Sequence, residues 1–283
     1  AVVTGANSGI GLATTLRLAR DGFEVYAGAR RAEGLEDIAR AAADVGVTGV
    51  VPVSLDVTDD ASVEAAFAQI HEAGAVTVLV NNAGITGSGS IEETPIATYQ
   101  AMFDTNVLGT VRCTQQVLAP MREAGAGRIV NISSSSAISG PPLMGPYAST
   151  KVAVEGLSES LQAEVAPFGI RVVAIQAGTI LTPIWGKAEA PGADTPYPVA
   201  REFLLQVLTH QLANSGVPAE TVADAIAEAV AAEAPPLRQV VGDASILADL
   251  HANHPEEAVE VFFREGEDFR QRYREISGID YWA

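Results

Sequence analysis

Tyr147 and Lys151 stand four residues apart in the segment Gly145-Pro146-Tyr147-Ala148-Ser149-Thr150-Lys151, and Ser134 lies thirteen residues before the tyrosine. On a helix, positions i and i+4 share one face a turn apart, so the phenol and the ammonium would be neighbours. A tyrosine hydroxyl has a pKa of about 10, too high to release a proton readily at neutral pH. A fixed ammonium beside it favours the phenolate and is expected to lower that value. A serine hydroxyl at the same point could hydrogen-bond a carbonyl or alkoxide oxygen. The three together make a proton donor/acceptor and an oxyanion partner suited to carbonyl–alcohol chemistry. A Tyr–Lys pair at this spacing also occurs on ordinary helix surfaces, so the elements around it decide its meaning.

Those elements alternate. Short apolar runs at Val2–Val3, 24–29, 50–55, 76–80, 128–132, 171–176 and 237–241 read as strands. Helical patterns fall over 10–20, 32–43, 63–73, 98–119, from Tyr147 to about Val165, 199–214 and 218–233. Repeated strand–helix units predict an α/β fold: a single doubly wound parallel sheet, Rossmann-type, of about seven strands with helices on both faces. Pro52 marks its strand as a sheet edge, because proline cannot donate to the ladder. No break resembles a linker, so one domain is expected over 1–283. The stretch 177–198 contains Pro183, Pro191, Gly192, Pro196 and Pro198 with Ile184 and Trp185. It is too long for a simple connection and follows a strand C-terminus, where such sheets bind ligands. A substrate lid over about 177–217 is the expectation, with a disordered loop as the alternative. Beyond Gly242, residues 243–283 read as a C-terminal helical appendage. Its acidic residues Glu256, Glu257, Glu260, Glu265, Glu267 and Asp268 suggest a solvated helix face rather than an interaction tail.

Thr4-Gly5-Ala6-Asn7-Ser8-Gly9-Ile10-Gly11 separates the first strand from the first helix. Glycines there permit a tight turn and close backbone approach, and a helix N-terminus offers unpaired amides to a pyrophosphate. The spacing Gly-x-x-x-Gly-x-Gly differs from the usual Gly-x-Gly-x-x-Gly fingerprint. The second strand ends in Ala29-Arg30-Arg31, with no acidic residue to accept adenosine ribose hydroxyls. Arg30 could pair with a 2′-phosphate, which favours NADP with NAD possible; otherwise it is a surface arginine. Asp56 and Val57, ending the third strand, could meet an adenine ring, although Asp56 is also a good helix cap. Asn81-Asn82-Ala83-Gly84 follows the fourth strand and reads as both a strand tie and part of a cofactor wall.

At 283 residues and 48% hydrophobic content the chain can bury a large core. No apolar run reaches the roughly 18–20 residues of a membrane span. The net charge of −18 opposes binding to nucleic acid or anionic lipid. With Cys113 as the one cysteine, no internal disulfide can form, which fits a cytoplasmic setting. No signal-peptide pattern opens the sequence, and lacking an initiator Met it is expected to miss a few residues. No metal site is expected.

In their order and spacing these residues resemble the short-chain dehydrogenase/reductase superfamily, from the first residues to about Gly242. The likeness is carried by Thr4-Gly5-x-x-x-Gly9-x-Gly11, Asp56-Val57, Asn81-Asn82-Ala83-Gly84, Asn106, Ser134, Tyr147-x-x-x-Lys151 and Ala177-Gly178-Thr179-Ile180-Leu181-Thr182. The resemblance implies that Tyr147 is the general acid/base, that Lys151 lowers its pKa and binds the nicotinamide ribose, and that Ser134 holds the substrate oxygen. It implies that Asn106 positions a water leading from Lys151 to solvent; read on its own, Asn106 is a helix-interior side chain bonding nearby backbone. Gly5, Asn7, Ser8, Gly9, Ile10 and Gly11 would hold the pyrophosphate side, and Asn82, Ala83, Gly84, Ile180 and Thr182 the nicotinamide side. Ser133 to Ser136 are consecutive. The family spacing selects Ser134, and Ser133 and Ser135 should point elsewhere if strand alternation persists. Where the family has Pro-Gly after the sixth strand, this chain has Ala177-Gly178.

Ile138, Pro141, Pro142, Leu143, Met144, Leu181, Ile184, Trp185 and Phe203 are the expected substrate-pocket residues, with Lys187 the main charged exception. Such a pocket suits a hydrophobic ketone or secondary alcohol. Within the family the segments around Tyr147 and Thr182-Pro183-Ile184-Trp185 look most like hydroxysteroid- and retinol-type enzymes. The resemblance also implies a homo-oligomer, dimer or tetramer, through the helices near 98–119 and 149–165, where Ala153, Gly156, Ser160 and Ala163 would allow close packing. The competing readings are a non-catalytic NAD(P)-binding sensor or scaffold, and a nucleotide-sugar epimerase, which the glycine spacing and short C-terminal region oppose.

Overall fold

The computed structural model describes residues 1–186, 192–264 and 266–282. Lys187, Pro191 and Glu265 lie outside the described residues. The chain runs through β1 (Val2–Val3), α1 (Gly9–Arg20), β2 (Val25–Ala29), α2 (Ala32–Asp44), β3 (Val50–Ser54), α3 (Asp60–Ala73) and β4 (Val78–Asn81). It continues through α4 (Ile96–Phe103), a π-helical turn Asp104–Leu108, α5 (Gly109–Ala124), β5 (Gly127–Ile132), α6 (Gly145–Val165) and β6 (Ile170–Ala177). The last part holds β7 (Ile180–Leu181), α7 (Pro198–Asn214), β8 (Val217–Pro218), α8 (Ala219–Ala231), β9 (Arg238–Val241), α9 (Ala244–Asn253), α10 (Glu257–Glu260) and α11 (Gly266–Ser277).

Seven strands form one sheet in the order β3-β2-β1-β4-β5-β6-β9, every pair parallel. Parallel strands buried on both faces are apolar at nearly every position, and neighbours along a strand point to opposite sides. Val3, Val80 and Val130 accordingly pack with Leu18 of α1, Ile38 of α2 and Ile226 of α8 on one face. Val2, Leu79 and Ile129 pack on the other with Phe67 of α3, Val117 of α5 and Val165 of α6. The expected doubly wound sheet is therefore present, and Pro52 sits on β3, its edge. Strand order reverses between β1 and β4, which opens a crevice above their C-terminal ends.

The helix expected over 98–119 is longer and less regular. It spans Ile96 to Ala124 and widens into a π turn at Asp104–Leu108. The residues after Gly242 fold back as helices onto α7. Phe203 of α7 meets Phe262, Phe269 and Tyr273 edge-on, with ring centroids 4.9–5.7 Å apart. The described acidic residues there are wholly or partly solvent-exposed, as expected of a solvated face, and carry surface ion pairs: Glu257 with Arg272, Glu267 with Arg274 and Asp268 with Arg264.

One buried polar chain locks α6 to the sheet. Asn81 Nδ2 donates to Asn131 Oδ1 (2.9 Å), and Asn131 Nδ2 donates to Ser158 Oγ (2.9 Å). Asn131→Ala strips one partner from each of two buried groups and is expected to cost about 1–3 kcal/mol. Urea denaturation measures it; a loss within error would mean the chain contributes nothing to docking α6.

Candidate active site

The β1–α1 loop needs its glycines. Gly5 and Gly9 have φ of +62° and +55°, and a Cβ on Gly5 would lie 2.8 Å from Ala83 Cα. Ser8, the residue before α1, makes no side-chain cap, so the first amides of the helix stay open to an anion. Asn82 binds the loop from the other side: its Nδ2 donates to Thr4 O (2.9 Å) and Gly5 O (3.0 Å). The Asn82 and Ala83 amides donate to Thr4 Oγ1 at 3.0 and 2.9 Å. The Asn pair is thus the strand tie expected, and it shapes the cofactor wall.

These loops floor a cavity of about 900 Å³ bordered by Gly5, Asn7, Ser8, Gly9, Ile10, Arg30, Asp56, Val57, Asn82, Ala83, Gly84, Ile180 and Thr182. Gly11 stands apart from the other loop residues. It does not border the cavity, and a Cβ there would lie 2.4 Å from both Gly5 O and Asn82 Nδ2. Its smallness lets α1 approach the loop that does the binding. Arg30 and Arg31 both border the cavity, and neither forms an ion pair among the described residues. Burial penalises the charge of Asp56, but the Thr58 amide and hydroxyl (3.0 and 2.7 Å), then Arg30 and Arg112, hold its pKa below the usual carboxylate range. Asp56 both ties its own turn and faces the cavity. Uncapped amides, a glycine loop and two guanidiniums without a salt bridge among the described residues fit a dinucleotide carrying an extra phosphate.

Lys151, buried in α6, donates from Nζ to Ile132 O at 2.7 Å, and burial lowers its pKa to about 8. Its Nζ stands 5.7 Å from the centre of the Tyr147 ring. Tyr147 is half-buried and borders the cavity, and its hydroxyl is hydrogen-bonded by Ser134. Ser134 Oγ also accepts from the Ser136 amide (3.1 Å). The expected depression of the phenol by the ammonium is not found. Burial raises the Tyr147 pKa and Ser134 pulls it back in part, while Lys151 Nζ points one hydrogen bond at the Ile132 carbonyl. Strand alternation does not persist through the serines either. β5 ends at Ile132, so Ser133, Ser135 and Ser136 border the cavity too, while Ser134 is the one bonded to Tyr147.

Asn106 lies in the π turn and does not border the cavity. Its Oδ1 accepts from the Ile85 amide (2.8 Å), and its Nδ2 donates to Ile85 O (2.9 Å) and Thr150 Oγ1 (3.0 Å). It bonds backbone, as read from sequence, but across elements, joining the wall after Gly84 to the residue before Lys151. On the substrate side, Pro141, Pro142, Met144, Ile184, Trp185 and Phe203 border the cavity. Ile138, Leu143 and Leu181 do not. Leu143 packs against Met144 and Leu204, and Leu181 is 49% exposed to solvent. Sequence reasoning missed Leu204, Val207, Leu208, Leu247, Leu250 and His251, which extend the cavity. The helical spacing of the three α7 residues with Phe203 was the available signal.

The family model described as short chain dehydrogenase matches residues 1–192. An NADPH-dependent 3-dehydrocapnine reductase of Ornithobacterium rhinotracheale is 33% identical over 259 residues, covering 87% of this chain and 89% of that protein. A short-chain dehydrogenase from Streptomyces avermitilis superposes with a TM-score of 0.81 at 34% identity, covering 93% of this chain and 94% of its own. A variant of the actinorhodin polyketide ketoreductase, solved with NADPH, gives 0.74 at 32% identity, with 84% and 93% covered.

The Lys151 titration has a stability signature. Its folded pKa, about 8, lies below its ordinary 10.5, so the burial cost is present in full below pH 8 and is relieved as pH rises toward 10.5. Relative to Lys151→Met, the wild type should gain about 3 kcal/mol across that window. Paired denaturant melts at the two pH values test this; a pH-independent difference would remove the buried charge from the account.

Proposed function

This chain belongs to the short-chain dehydrogenase family, an oxidoreductase acting on C–OH and C=O groups, and we propose that it is an NADP(H)-dependent enzyme using Tyr147 as general acid/base on a hydrophobic ketone or secondary alcohol. One observation carries this reading. Tyr147, Ser134 and Lys151 meet on the wall where the glycine-lined, arginine-flanked half of the cavity gives way to its apolar half.

The dinucleotide, when bound, supplies or accepts the hydride. The chain handles the proton. Ser134 Oγ hydrogen-bonds the substrate oxygen, and the Tyr147 hydroxyl gives that oxygen its proton in reduction or takes it in oxidation. Burial raises the phenol's pKa further above neutral, so the hydroxyl stands protonated, the form that donates in the reduction direction. Lys151, with a pKa near 8, stabilises the phenolate left behind and can reload it. Arg30 takes the 2′-phosphate, which favours NADP over NAD. Asn106 acts as a positioning residue for both walls.

Residues 177–217 are proposed as the substrate-side lid of a single catalytic domain over 1–283, with the helices after Gly242 as an appendage that completes the pocket. A homo-oligomer is proposed through the outer faces of α5 and α6, where Leu157 and Val152 are exposed and Gly156 meets open space. A cytoplasmic location is proposed from the absence of disulfides; among the described residues no helix is long and apolar enough to cross a membrane. A pure sensor or scaffold has no use for the retained Ser134–Tyr147–Lys151 set.

Tyr147→Phe should lower turnover by about 10²–10⁴-fold with NADPH affinity unchanged; wild-type turnover in that variant would end the assignment. Arg30→Ala should weaken NADPH by roughly 10–100-fold, from the loss of a charge-assisted bond, and NADH by far less. Equal losses would take Arg30 out of the 2′-phosphate site.

A further inference from the structure

The charge around the cavity is unevenly placed. Arg30, Arg31, Asp56 and Lys151 border its dinucleotide half. Beyond Tyr147 the lining has no carboxylate, Lys or Arg among the described residues. There α7 turns one stripe inward: Phe203, Leu204, Val207, Leu208 and Gln211, the i, i+1, i+4, i+5, i+8 pattern of a single helix face. Leu204 clusters with Leu143 and Met144, and Tyr147 and Leu208 both pack against that cluster, so the stripe begins beside the reacting centre. Opposite it the appendage supplies Leu247 and Leu250 of α9, and then Val259 and Phe262. The arm's ionisable imidazole, His251, has its pKa lowered by burial and is neutral at neutral pH. The far end opens to solvent, because Val259 and Phe263 border the cavity while being 62% and 87% exposed. An arm of this kind, apolar along its length and open at its end, matches an extended hydrocarbon chain better than a compact ring system, which would leave most of it empty.

We propose that the substrate carries a long, uncharged hydrocarbon tail that leaves the reacting carbon beside Tyr147, runs along the inward face of α7, and exits between Val259 and Phe263. This rests on the oxidoreductase reading above and adds the substrate class. The appendage is then the tail-binding half of the pocket. Each methylene buried in the arm adds apolar contact in the bound complex and so raises kcat/KM until the arm is full, after which further carbons emerge into water.

The test is a series of straight-chain 2-ketones from four to fourteen carbons, at saturating NADPH. kcat/KM should climb by about fourfold per added methylene, the equivalent of about 0.8 kcal/mol, and then level off. A flat profile with measurable turnover of the short ketones overturns the tail arm and leaves the oxidoreductase reading standing. Absence of turnover with every ketone and the matching alcohols counts against that reading. The arm is still decided by binding, read through the fluorescence of Trp185, which borders the cavity, and Trp282, packed on Phe269. Affinity that rises with chain length supports the arm, and affinity independent of length overturns it. Leu247→Trp should cut the long-to-short ratio of kcat/KM at least tenfold. Val259→Trp, at an exposed position that the core does not depend on, should cut it for the longest ketones alone. NADPH affinity reports folding of both variants, and unchanged ratios in both overturn the proposal.

Discussion

Lys151 carries a positive charge into the protein without a carboxylate beside it among the described residues, and much of the site follows from how that charge is held. A buried ammonium is costly, and a single carbonyl, Ile132 O at 2.7 Å, answers it directly. That carbonyl is available because β5 ends at Ile132, and it is correctly placed because the Asn131–Ser158 bond sets α6 against the strand. Tyr147 then falls one turn earlier on the same helix, with its hydroxyl beside Ser134 at the first residue past the strand's ladder. A charge held this incompletely titrates near 8 rather than 10.5. The incompleteness would serve the proton transfer proposed for Tyr147, which needs a neighbouring group able to bind and release protons near the working pH.

The same economy of charge divides the cavity. At one end, helix amides, two guanidiniums and Asp56 make a polar cradle that the glycine loop brings within reach of a ligand's phosphates. At the other, α7 and the C-terminal helices offer side chains with nothing to pair a charge. On the proposed reading the reacting centre lies between them, where a polar dinucleotide and an apolar substrate would each be desolvated by a wall of its own kind. Tyr147 belongs to both walls: it packs against the apolar cluster of Leu143, Met144 and Leu204, and its hydroxyl is bonded to Ser134.

How far this could be read from the sequence depends on whether the cause was local. The sheet was legible because parallel strands buried on two faces are short apolar runs, and Pro52 announced the edge through its missing donor. Tyr147, Lys151 and Ser134 were legible through spacing along one helix and one strand end. The sign of the Tyr147 shift was not, because i, i+4 proximity says nothing of burial, and burial is the largest cause of the rise. Nor was the π turn at Asp104–Leu108. Asn106 there reaches Ile85 and Thr150 in two other elements, contacts that no propensity over 98–119 encodes. Gly11 matched a motif and yet serves packing; a glycine's neighbours are invisible in sequence. The appendage matched no motif because its rings reach Phe203 from separate elements: Phe269 and Tyr273 share one face of α11, but Phe262 and Trp282 lie outside that helix.

The missing proline before Gly178 shows how a local constraint can be replaced by a distant one. Ala177 leaves the turn after β6 without a fixed φ. The wall is held instead by Asp243: its Oδ1 accepts from the Thr179 amide (2.6 Å) and its Oδ2 from Ser215 Oγ (2.8 Å). One buried carboxylate thus joins the strand that continues to Ile180 and Thr182, the end of α7 and the residue that opens α9. Tyr281 lies near enough for the charge of Asp243 to add to the rise in its phenol pKa, after burial itself. A proline would stiffen the turn whatever the rest of the chain did. Asp243 stiffens it only while the C-terminal helices stay docked, so the wall beside the dinucleotide and the apolar arm beyond Tyr147 depend on the same packing. Loosening the aromatic cluster around Phe203 would therefore disturb both halves of the cavity at once, although none of the clustered rings touches the glycine loop.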